Sequence, residues 1–133
     1  MDLARDAMVA DPLSLSADGS AREAGEALAR PEVRAVFVCD DGGRFLGVVT
    51  RKTLVREVVA AGRDPESTRL GSIAEQPNAT IESTMPLADA FAFVEENDFE
   101  RVPVVEDGRL VGVLARAVVQ RRLAEDDPPD EDA

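Results

Sequence analysis

Arg101-Val102-Pro103-Val104-Val105-Glu106-Asp107-Gly108-Arg109-Leu110-Val111-Gly112-Val113-Leu114 reads as two β-rich runs around a Glu-Asp-Gly turn, which is the pattern of a hairpin. A looser copy lies upstream: Val36-Phe37-Val38-Cys39-Asp40-Asp41-Gly42-Gly43-Arg44-Phe45-Leu46-Gly47-Val48-Val49. The two copies match at an offset of 66 as far as Gly108 and of 65 beyond it, because the first has the extra Gly43. The register extends outward: Leu15 falls on Ile81 and Ala24 on Ala90, while Arg51 falls on Arg116 and Arg56 on Arg121. A duplicated unit of about sixty residues therefore organises the chain.

Each unit reads as short strand, helix, strand, turn, strand, helix. In the first, Leu13 to Ser16 is a brief extended run, and Ser20 with Glu23 forms a capping-box signature for a helix that continues to Arg30 before Pro31 ends it. Thr50 is placed to cap a further helix whose Leu54, Val55, Val58 and Val59 make one apolar stripe, with Gly62 as its stop. In the second unit Pro86 suits a first helical turn, with Leu87, Ala90, Phe91 and Val94 on the buried face, and a last helix runs from about Arg116 to Ala124. The expected division is 1–62 for the first repeat, 63–72 for a Gly-, Asp-, Pro- and Ser-containing linker, 73–124 for the second repeat and 125–133 for a disordered acidic tail. A unit of about sixty residues buries only about 60% of its unfolded surface, so the two are expected to pack together about a pseudo-twofold axis as an α/β (α+β) fold of two βαββα repeats.

Composition narrows the chemistry. The 133 residues hold no His, no Trp, no Tyr and one Cys, so imidazole bases, imidazole metal sites and Ser/His/Asp or Cys/His arrangements cannot be assembled. Acid pairs such as Asp40/Asp41 and Glu95/Glu96 are neighbours in sequence that diverge in direction, and no enzyme is expected. Cys39, in an apolar run, is expected to be a buried thiol of a reducing compartment. The net charge of −12 makes nucleic acid and anionic lipid poor partners. No stretch approaches about 18 apolar residues and no leader-like N-terminus is visible, so no membrane insertion and a cytoplasmic location are expected.

These repeats resemble the tandem cystathionine β-synthase (CBS) domain pair, or Bateman module, over about residues 5–124. The firmest parts are Arg101 to Leu114 and the copy from Val36 to Thr50, with Asp6-Ala7-Met8 and Pro12-Leu13-Ser14-Leu15 as the entry. The resemblance implies a regulatory module with an adenosine-type regulatory ligand such as AMP, ADP or ATP in an inter-repeat cleft, no required cofactor and no metal. It also implies a homodimer through helices and a regulated protein in trans. The family signature is Gly, two apolar residues, Thr or Ser, two free positions, then Asp. The first copy, Gly47-Val48-Val49-Thr50-Arg51-Lys52-Thr53, keeps the hydroxyl and has Thr53 in place of the Asp; the second, Gly112-Val113-Leu114-Ala115-Arg116-Ala117-Val118, keeps neither polar group.

Carried over by position, one cleft would hold Thr50, Arg51, Lys52 and Thr53 with Ala79, Thr80 and Ile81. The other would hold Arg101, Arg116 and Val118 with Leu13, Ser14 and Leu15, and Pro103 is a further ligand-binding candidate as part of an adenine shelf. Each residue also has a plainer reading. Thr50 serves as a helix cap, Lys52 as a solvated helix residue, Arg101 as a surface ion-pair partner and Pro103 as a strand-edge residue. Gly47 and Gly112 serve either close approach by a ligand or a tight strand bend. Replacing a ribose-binding carboxylate by Thr forfeits charge-assisted hydrogen bonds, so at most one occupied site of micromolar or weaker affinity is expected. The alternative is a dimeric scaffold with vestigial clefts, for which Phe93, at the edge of the buried stripe, would meet a partner or else complete the core.

Overall fold

The computed structural model describes residues 2–10 and 12–126. The chain order is α1 (Ala4–Ala7), β1 (Val9–Ala10), β2 (Ser14–Ser16), α2 (Ala21–Leu28), β3 (Val36–Cys39), β4 (Phe45–Val49) and α3 (Arg51–Leu54), which continues as a π-helical stretch, Val55–Val59. It goes on with α4 (Leu70–Ile73), β5 (Ile81–Glu82), α5 (Leu87–Glu96), β6 (Arg101–Glu106), β7 (Arg109–Ala115) and α6 (Arg116–Asp126). The mixed α and β content and the repeated strand–helix–hairpin–helix order are those the duplication predicts.

The elements group into two compact units, each with its own sheet and core. The repeat-1 unit comprises residues up to Asn78 from position 11 together with Gly108–Leu110. Its sheet has the order β2-β3-β4, β2 lying parallel to β3 with Leu15 opposite Val38. The repeat-2 unit comprises residues up to Ala10, Ala79–Asp107 and those from Val111 onward. Its sheet has the order β1-β7-β6-β5, with Ile81 opposite Val104 in the parallel pair. Subtracting the repeat offset of 66 turns the second pairing into the first. The first core gathers Ala24, Leu28, Val36, Val38, Val49 and Leu70; the second gathers Ala90, Val94, Val102, Val104, Leu114 and Val119.

Each unit is completed by an arm that precedes the other repeat in sequence. Residues 2–10 dock on the repeat-2 unit through Leu87 N–H to Asp2 C=O (2.9 Å), Ala4 N–H to Met85 C=O (2.8 Å) and Arg5 N–H to Ser83 C=O (3.1 Å). Residues 68–76 dock on the repeat-1 unit through Ala21 N–H to Thr68 C=O (2.8 Å), Leu70 N–H to Gly19 C=O (2.9 Å) and Gly71 N–H to Ala17 C=O (2.9 Å). Every bond of the first set maps onto one of the second by the same 66-residue shift. The segment expected as a linker therefore runs into α4, whose Leu70 and, just past the expected boundary, Ile73 are in the core.

Several local readings differ from observation. Ser20 and Glu23 form the capping box, but α2 stops at Leu28, and Pro86 stands at the N-cap of α5 rather than inside it. Leu54 and Val58 face the core while Val55 and Val59, one residue further round, are exposed, and the helix after Leu54 passes into π-type bonding, with Ala60 N–H to Val55 C=O at 2.8 Å. Cys39 is half-buried. Helix α6 runs through Asp126, past the expected start of the acidic tail; the rest of that tail lies outside the described residues.

Candidate functional site

In the repeat-1 unit the signature turn follows β4 directly into α3. Thr50 takes extended backbone angles and its Oγ1 accepts the Thr53 N–H at 3.3 Å, while Thr53 Oγ1 accepts the Thr50 N–H at 3.0 Å. The two hydroxyls are 3.1 Å apart. Thr53 has no exposed surface and its hydroxyl is engaged by this reciprocal cap. Its role in this geometry is to position Thr50. Arg51 donates to the Arg30 carbonyl at 2.8 Å, tying the turn to the chain just beyond α2, and Lys52 is exposed in the first helical turn. A capped turn of this kind leaves the first backbone N–H groups beside a cation, a setting suited to an anionic group.

The second signature is built differently. Ala115 brings no side-chain acceptor to the start of α6. The Arg116 guanidinium donates to Glu95 at 2.7 Å and to Asp98 at 2.9 Å, which holds its pKa above the ordinary value, first through the hydrogen bond to Glu95 and then through that to Asp98. Arg116 thus fastens the start of α6 to the end of α5. Val118, where the family has its carboxylate, is half-buried. Arg101 is exposed at the head of β6, and Pro103 is buried in the sheet beside Val104.

The remaining expected site residues are distributed as follows. Ala79 is half-buried, Thr80 exposed and Ile81 buried in the repeat-2 unit. Leu13 and Ser14 are exposed and Leu15 half-buried in the repeat-1 unit. Ser14, Leu15 and Ser16 border a hollow of about 510 Å³ with Cys39, Asp40 and Asp41. Asp40 Oδ1 accepts the Gly42 and Arg44 N–H groups at 2.9 Å, and burial, then the Asp40 charge, pushes the Cys39 thiol pKa up. The acidic lining makes this hollow unsuited to phosphate. Phe93 packs on Phe99 with centroids 5.8 Å apart and is half-buried against the repeat-2 core.

The two signature glycines admit the protein's own arms. A Cβ on Gly47 would come within 2.7 Å of the Glu75 carbonyl oxygen, which accepts the Val48 N–H at 2.8 Å. A Cβ on Gly112 would meet Met8 and lie 2.8 Å from the Val9 carbonyl oxygen, where β1 pairs with β7. Sequence reasoning missed both the arms and the reciprocal cap. The 66-residue offset, continued to Val9 and Glu75, and the T-x-x-T spacing of a capping box were the signals for them.

Two matched strand–helix–hairpin–helix repeats, each with a helix starting at the end of its hairpin, define a tandem β/α repeat module. The family model described as the CBS domain matches residues 4–60 and 70–125, and the chain belongs to that family. It is 28% identical over 125 residues to hypoxic response protein 1 of Mycobacterium tuberculosis, covering 94% of this chain and 87% of that one. A crystal structure of Hypoxic Response Protein I with two coordinated zinc ions superposes with a TM-score of 0.77 at 27% identity, covering 92% of this chain and 99% of that one. CBSX2 in complex with AMP superposes with a TM-score of 0.74 at 23% identity, covering 96% and 99%. The donor set here does not fit zinc: the sequence has no His and one Cys, and no cluster of three or more candidate ligands occurs among the described residues. No helix among the described residues is long and apolar enough to cross a membrane.

Proposed function

We propose that this CBS pair is a regulatory ligand sensor that binds an adenosine-type nucleotide weakly, at one site per chain, through the start of helix α3. The observation that carries this reading is the contrast between the two signature turns. The first keeps a capped helix start with exposed Lys52, whereas the second has Ala115 and an Arg116 already engaged by Glu95 and Asp98. The AMP complex of CBSX2 supports the ligand class. Titration calorimetry with AMP, ADP, ATP, NAD and S-adenosylmethionine tests it. One site of micromolar or weaker affinity is expected, weakened about tenfold by Lys52→Glu through loss of a charge-assisted contact. Silence across the panel, or two equal tight sites, rejects the reading.

A second reading, a homodimeric scaffold acting on another protein in trans, is favoured by one feature. Val55 and Val59 are 58% and 73% exposed, and Val59 borders an apolar groove of about 400 Å³ with Gly25, Ala29, Leu54 and Val58. An exposed apolar patch of this kind suits a second copy. Sedimentation of Val59→Asp should then show the dimer replaced by monomer; an unchanged distribution, or a monomeric parent, removes this reading.

A further inference from the structure

We infer that the segment joining the two repeats carries an anion site, a hollow of about 460 Å³ that takes the phosphate group of free phosphate or of a small phosphate monoester. It lies wholly within the repeat-1 unit and is independent of the nucleotide reading at Thr50.

The hollow is bordered by Arg63, Ser67, Thr68, Arg69 and Ser72: two guanidinium groups, three hydroxyls and no carboxylate, in a chain where acids outnumber bases 27 to 15. Two of the nearby acids have other partners: Asp64 Oδ1 accepts the Glu66 N–H at 3.0 Å, and Glu66 pairs with Arg22. Asp18 instead meets the site's own Arg69, through its carbonyl at 3.2 Å and its carboxylate at 3.8 Å, so a ligand competes with it for one nitrogen of that guanidinium. The walls are held by local bonds, Thr68 Oγ1 donating to the Asp64 carbonyl and Ser72 Oγ to the Arg69 carbonyl, each at 2.7 Å. Those two hydroxyls use their protons there. The donors left for a ligand are Arg63, the remaining Arg69 N–H groups and the Ser67 hydroxyl.

Two planar guanidinium forks and a hydroxyl match the oxygens of a phosphate, each fork being able to donate two parallel bonds. Arg63 follows the π-helical stretch, its N–H bonded to the Val58 carbonyl at 2.9 Å, whereas Arg69 belongs to the docked 68–76 arm. An anion held by both would clamp that arm to the helix end. Both side chains lie in exposed stretches, so the binding is weak and falls with ionic strength.

The test is an amide NMR titration of the full chain with inorganic phosphate and with glycerol 3-phosphate, each against chloride at matched ionic strength. Phosphate-specific shifts confined to residues 63–72 are expected, weakened about tenfold by Arg63→Ala and abolished by Ser67→Asp, which sets a carboxylate among the donors without truncating a wall. A tighter response to the monoester assigns a phosphorylated small molecule; an equal response assigns the phosphate group alone. Equal shifts with chloride, shifts spread over the chain, or binding unchanged in both variants overturn the site. Lys52→Glu should leave the phosphate titration untouched, so failure of AMP binding and failure of this site are separate results.

Discussion

The two signature turns descend from one pattern and do different work. At Thr50 the chain closes a reciprocal hydroxyl cap and leaves Lys52 exposed; at Ala115 the side chain offers no acceptor, the Arg116 N–H donates to the Glu100 carbonyl at 2.9 Å, and the Arg116 guanidinium is pulled onto Glu95 and Asp98. The same helix start is thus stabilised once by local backbone capping and once by long-range ion pairing. Only the first leaves a cation available to an incoming anion.

The largest effects should come where the repeats agree, at the two glycines beneath the arms. Gly47→Ala and Gly112→Ala each force a Cβ against backbone carbonyl oxygen, at 2.7 Å from Glu75 and 2.8 Å from Val9. Each is expected to cost about 1–3 kcal/mol, read by urea denaturation. Hydrogen exchange should localise the loss, at Val48 and Glu75 for the first and at Val113 and Val9 for the second. Loss of protection at both arms from either variant would break the one-arm-per-unit description.

The caps come next. Thr50→Ala should cost about 1 kcal/mol, and Thr53→Val somewhat more because it leaves the Thr50 N–H without its acceptor. Ala115→Ser should run the other way, stabilising α6 by up to about 1 kcal/mol. If Ala115→Ser gives nothing, the Arg116 ion pairs already fix that helix start and the comparison sharpens.

Arg116→Gln should lower the melting temperature slightly, and by less in high salt, since Glu95 and Asp98 are both exposed, Asp98 almost fully. Its raised pKa adds stability that is complete across the neutral range and lost only under strongly alkaline conditions, as pH rises past the ordinary guanidinium value, so no pH dependence near neutrality should come from this group. The smallest effect is expected at Cys39, whose counterpart by the 66-residue shift is Val105. Its raised pKa favours the neutral thiol in the fold, so its contribution is intact below the ordinary 9.0 and declines as pH climbs past it. Cys39→Val should flatten that alkaline decline, and Asp40→Asn should speed thiol alkylation; no change in either would remove the Asp40 contribution.

The duplication, the hairpins, the Ser20 capping box and the core residues of α5 were legible because they rest on local chemistry and on periodicity that neighbours in sequence express. The candidate site was legible only in its residue types. Thr50 and Thr53 could be named, but the inward turn of Thr53 depends on where α3 packs. The apolar stripe of Leu54, Val55, Val58 and Val59 was legible, but the π-type bonding from Val55 to Val59 leaves no mark in a hydrophobic pattern.

What the sequence by itself determined was the repeat and its strand and helix propensities, since these follow from side-chain shape and spacing. What only tertiary structure decided was the reciprocal docking of the arms, the reason both signature glycines must lack a side chain, and the partners of Arg116. The physical reason is common to all three. They are long-range backbone approaches and ion pairs, fixed by how elements far apart in the chain pack within each unit, and no short window of sequence contains both sides of the contact.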